Sequence, residues 1–122
     1  MADRLLRVIT ALHTLVYSED AAATRAFFRD VLGFPNVDAH DGWLIFGSGP
    51  SELAVHPAGA PSHEITLMCD DIEKTMAELS DKGARFDGGV TDAGFGRTAH
   101  FAVPGAGSMM LYQPRHPVAY DL

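Results

Sequence analysis

Leu12-His13-Thr14-Leu15-Val16-Tyr17-Ser18-Glu19-Asp20, running on through the alanine- and phenylalanine-rich segment Ala21 to Leu32 and stopping at Gly33, is the stretch that decides the fold. Its first part predicts a strand over Val8 to Tyr17: Leu12, Thr14 and Val16 share one face, and Ala11, His13, Leu15 and Tyr17 share the other. Both faces are largely apolar, as expected of a strand covered on both sides. Ser18-Glu19-Asp20 then supplies a helix N-cap and first-turn acids, and Gly33 stands where a helix stops. Within the helix, Ala23, Phe27 and Val31, flanked by Phe28 and Leu32, form an apolar stripe that must lie on a sheet.

Outward from this unit, Asp41-Gly42, Gly47-Ser48-Gly49-Pro50 and Pro57 separate short strands at Asn36 to His40, Trp43 to Phe46 and Leu53 to Val55. The second half repeats the order. A strand over Glu64 to Cys69 leads to a helix capped by Asp70-Asp71, carrying Ile72, Met76 and Leu79 on one face and ending at Gly83. Strands follow near Ala84 to Asp87, Thr98 to Val103 and Ser108 to Gln113. Each half therefore reads β-α-β-β-β, and we expect a single domain over 1–122 with modules at 8–58 and 62–114. Placing Asp20 on Asp71, an offset of 51, sets His13 on Glu64, Leu15 on Thr66 and Phe28 on Leu79. Aligning the closing prolines sets Leu53 to Pro57 on Met110 to Pro114.

Composition narrows the function. The 122 residues allow one domain with its own core, and a net charge of −7 argues against nucleic-acid phosphate as a partner. No apolar run is long enough for a membrane span, and the single Cys69 excludes an intrachain disulfide, so a cytoplasmic location is expected. Gly94-Phe95-Gly96 and Gly105-Ala106-Gly107 neither follow a strand nor open a helix, so they are turns and not phosphate loops.

Leu12 to Asp20, Phe27-Phe28 through Leu32-Gly33-Phe34, and Val103-Pro104-Gly105-Ala106-Gly107 before Leu111-Tyr112-Gln113-Pro114 together resemble the vicinal oxygen chelate superfamily. This group includes glyoxalase I, extradiol dioxygenases and the fosfomycin- and bleomycin-resistance proteins. The resemblance implies an α+β fold in which two βαβββ modules curl a mixed sheet into a cup, often completed as a homodimer. It also implies a divalent metal in the cup, of unknown identity here, held by residues of the first and fourth strands of each module. Such a metal polarises an oxygenated substrate in lyase or dioxygenase chemistry.

On that pattern His13 and Glu64 are the metal and catalytic candidates, with His63 replacing Glu64 if the strand register slips by one. The two fourth-strand positions hold Leu53 and Met110, neither a ligand for a hard cation; only Glu52 offers a fallback carboxylate. Three readings stay open: a metal-assisted lyase or dioxygenase with an incomplete ligand set, a metal-free protein that binds and sequesters a small molecule, and a metal-free enzyme in which Glu64 orients His13 as a base. Tyr17, Trp43, Phe46, Met68, Phe101, Met110 and Tyr112 are the candidate lining of the cup, with Arg97 as an oxyanion partner.

Overall fold

A computed structural model describes residues 13–122. Its order is α1 (Ala21–Asp30), β1 (Asn36–Asp38), β2 (Leu44–Phe46), β3 (Thr66–Met68), α2 (Ile72–Asp81), β4 (Thr91–Asp92), β5 (Gly96–Ala102) and β6 (Ser108–Pro114). The expected α+β class with mixed sheets is present: β1 and β2 form an antiparallel pair, and β3-β6-β5-β4 form a second sheet in which β3 runs parallel to β6.

The internal repeat is sharpest at the helices, whose ends differ by the same offset of 51 that the sequence suggests. Asp20 and Asp71 each accept the N–H three residues on, at 3.1 Å, satisfying one of the free amides of a first turn. Thr24 and Thr75 each turn a hydroxyl back to the carbonyl of that capping aspartate. Equivalent sequence has produced equivalent local structure.

Longer-range pairing is not equivalent. In the second half the first and last strands join, with Thr66 opposite Met110 and Met68 opposite Tyr112. Gln113 then ties that ladder to α2, its Oε1 accepting from Ile72 N–H at 2.9 Å. Among the described residues of the first half no such ladder forms: 13–17 and Leu53 to Val55 are not in strands, which corrects the expectation for both. The rest of the expected first strand lies outside the described residues. One physical difference is visible at His56, the counterpart of Gln113, whose ring Nδ1 meets its neighbour's carbonyl at Pro57 and makes no tie to α1. The expected strand near Ala84 to Asp87 is reduced to one bridge, Phe86 to Phe101.

The core lies where the helices cover the second sheet. Phe101, Ile72, Leu111 and Val103 are sealed from solvent, and Phe27 of α1 stacks on Phe101 at 6.2 Å between ring centroids. Alternation along β5 and β6 puts Phe101, Met109 and Leu111 on this covered face and His100 and Met110 on the opposite, more open one. The two halves are also stitched at the start of α1: Glu19 N–H donates to Gly105 O at 2.7 Å, and Thr24 Oγ1 donates to Pro104 O.

Candidate functional site

A cavity of about 320 Å³ opens beneath α1. Its roof is one helical face, Ala21, Thr24, Arg25, Phe28 and Leu32, spaced so that successive turns present the same side. One wall is Trp43 and β2 with Phe46, which meets Phe28 edge-on at 5.6 Å. The other wall is the covered face of the second sheet, through Ile65, Leu67 and Met109. His13 to Val16 and Ser18 close the remaining side. The volume suits a small organic molecule, and apolar walls with few polar tips are the usual make-up of such sites.

The polar groups differ in availability. Ser18 Oγ lies 2.7 Å from Thr24 Oγ1 and accepts from Asp20 N–H, so this hydroxyl pair is engaged within the protein. Arg25 is different: its guanidinium carbon sits 4.6 Å from the centre of the Trp43 ring, a cation–π geometry.

The expected site residues separate into groups. His13, Trp43 and Phe46 reach the cavity. Met68, Met110 and Tyr112 lie together on the open face of the second sheet, Met68 opposite Tyr112 in the ladder, and do not line the cavity. Glu64 and His63 are both exposed ahead of β3, outside its ladder. Among the described residues no hydrogen bond or ion pair joins Glu64 to His13. Tyr17 is 87% exposed. Two readings need correction. Phe101 is a core residue beneath α1, because the strand's period of two turns it away from Met110's face. Arg97 lies on the helix side, where it forks onto Glu73 of α2 and does not line the cavity.

Glu52 is also committed elsewhere. One carboxylate oxygen accepts from Ala119 N–H at 2.8 Å and the other lies 3.4 Å from His116 Nε2, so it holds the C-terminal segment. Burial, with the Glu52 charge, pushes the Tyr112 phenol above its ordinary range, and burial likewise pushes the Cys69 thiol up, which leaves it a poor nucleophile. Among the described residues no group of three or more His, Cys, Asp or Glu side chains converges as a metal site. With Leu53 and Met110 at the remaining family positions, the donor set does not fit a hard divalent cation.

Sequence reasoning missed Arg25 and Thr24. The available signal was their place at i+4 and i+3 from Ala21, on a helical face otherwise made of Phe28 and Leu32.

The family model of the Glyoxalase/Bleomycin resistance protein/Dioxygenase superfamily matches residues 10–107, and the chain belongs to that superfamily. No curated protein matches it. Among solved structures it is similar to TnmS3, an antibiotic binding protein from Streptomyces sp. CB03234, with a TM-score of 0.60 and 22% identity over 87% of this chain and 98% of that one. A glyoxalase/bleomycin resistance protein/dioxygenase from Nocardioides gives a TM-score of 0.59 at 15% identity, covering 92% and 93% of the two chains. Lactoylglutathione lyase from Agrobacterium tumefaciens gives 0.57 at 18%, covering 88% and 96%. At these identities the likeness is one of fold.

Proposed function

We propose that this protein binds a small organic molecule in the cavity beneath α1, as a metal-free sequestering protein of its superfamily. The observation that carries this reading is the cavity itself, with its apolar walls and few polar tips. The antibiotic-binding description of TnmS3 is in keeping with it. Trp43 is the chain's single tryptophan and borders the cavity, so its fluorescence reports occupancy directly. A ligand found by thermal shift should change that fluorescence, and Ala21→Phe, which fills the space, should weaken the ligand at least about tenfold. Unchanged affinity in Ala21→Phe would refute the site.

The metal-assisted lyase or dioxygenase reading makes the opposite forecast about composition. On our reading, elemental analysis of protein purified without chelator gives less than stoichiometric divalent metal, with no difference in His13→Ala or Glu64→Ala. Stoichiometric metal lost in both variants would restore His13 and Glu64 as ligands and with them the enzymatic reading. The metal-free His13/Glu64 enzyme has less support, since among the described residues no hydrogen bond or ion pair joins the two side chains.

A homodimer and a cytoplasmic location complete the proposal. The location is supported by the lone cysteine; no helix among the described residues is long and apolar enough to cross a membrane. The dimer is supported by apolar surface in the first half, above all Leu53 and Val55 at 80% and 95% exposed on an extended segment with no ladder partner among the described residues. Light scattering should give twice the chain mass for the wild type and a monomer for Val55→Asp. A monomeric wild type at micromolar concentration would remove this part.

A further inference from the structure

We infer that the ligand of the cavity beneath α1 is an organic anion, a carboxylate on an apolar body, held at Arg25 and Trp43. This inference rests on the cavity-binding reading above and adds the chemical class of the ligand. Charge carries it. The chain has sixteen acidic residues, yet no Asp or Glu lines the cavity among the described residues, where Arg25 stands with His13 as the only other titratable group. A guanidinium half removed from water ordinarily finds a carboxylate, and three arginines of this chain do: Arg29 with Asp30, Arg97 with Glu73 and Arg115 with Asp92. Arg25 has no such partner among the described residues.

The geometry shows which part of Arg25 is available. Its guanidinium carbon lies over the Trp43 ring, 4.6 Å from the ring centre, a cation–π contact that steadies the group and its N–H donors. Those donors lie around the edge of the plane, in the fork arrangement that matches the two oxygens of a carboxylate. No acceptor among the described residues takes a hydrogen bond from them. The nearby hydroxyls of Ser18 and Thr24 are occupied with each other, Asp20 and Pro104, so they do not compete for the anion. Phe28, Phe46, Leu67 and Met109 then provide the apolar surface on which the body of the ligand rests.

Isothermal titration with matched pairs tests this: 4-phenylbutyrate against 4-phenylbutan-1-ol, and 2-naphthylacetate against 2-naphthylethanol. In the wild type each acid should bind about tenfold or more tightly than its alcohol, the size of one charge-assisted fork. Arg25→Gln should bring that ratio close to one, and Arg25→Lys should keep part of the preference. Equal binding of acid and alcohol by the wild type would overturn the anion assignment and leave the cavity reading intact. An acid preference that survives Arg25→Gln would overturn Arg25 as its source. If neither member of either pair binds at about 1 mM, the anion assignment and the cavity reading both fall.

Discussion

Phe101→Ala is expected to lower the unfolding free energy by about 3–5 kcal/mol, the range for emptying a fully enclosed aromatic site. Phe101 is 0% exposed and joins four parts of the molecule: it stacks on Phe27 of α1, packs on Phe86 at 5.7 Å, and faces Met109 of β6 from its own strand β5. None of these neighbours can collapse into the void without pulling its element off the sheet, so the cavity term adds in full to the lost transfer energy. Set against the 5–15 kcal/mol typical of a whole domain, about a fifth or more of the stability would go. Chemical denaturation would measure it. A loss under about 1 kcal/mol would mean that Phe101 is not enclosed, which would return it to the candidate lining from which the structure removes it.

Gly105→Ala should cost about 2–4 kcal/mol by a different route. Gly105 has φ +78°, where an L side chain is strained, and a Cβ placed there would fall 2.5 Å from Ser18 Oγ and 2.8–2.9 Å from the backbone N and O of Asp20. Ser18 could rotate away; the backbone of Asp20 could not, because it opens α1 and its capping geometry is fixed. Gly107→Ala is the control: it has a similar φ of +74° with nothing within 4 Å, so it should show the conformational part alone, about 1–2 kcal/mol. Because α1 roofs the cavity, Gly105→Ala should also weaken ligand binding, whereas Gly107→Ala should not. Equal destabilisation by the two substitutions, measured by denaturant titration, would rule out the close approach between the two halves as the cause.

The parts of this molecule that follow from local rules were legible in the chain. Asp20 and Asp71 define helix starts because a carboxylate at an N-cap satisfies an amide three residues away, and that interaction needs nothing beyond the helix itself. The α+β class and the superfamily were within reach for the same reason, since caps, glycines and apolar periods recur at fixed spacing along the chain. Met110 and Tyr112 share a face because alternation along one strand has a period of two, whereas Met68 joins them only through the pairing of β3 with β6.

What depended on partners distant in sequence was decided only by tertiary structure. A strand exists when another strand takes up its backbone hydrogen bonds, and the apolar pattern at Leu53 to Val55 carries no information about whether that partner arrives. Phe101 and Arg97 look like lining and anion partner until packing turns them under the helices. Arg25 was invisible as a site residue because its meaning comes from what surrounds it: an aromatic face from Trp43, no acid in the cavity, and apolar walls drawn from both halves of the chain. Charge in a cavity is set by every element that lines it, and that sum is made only when the chain has folded.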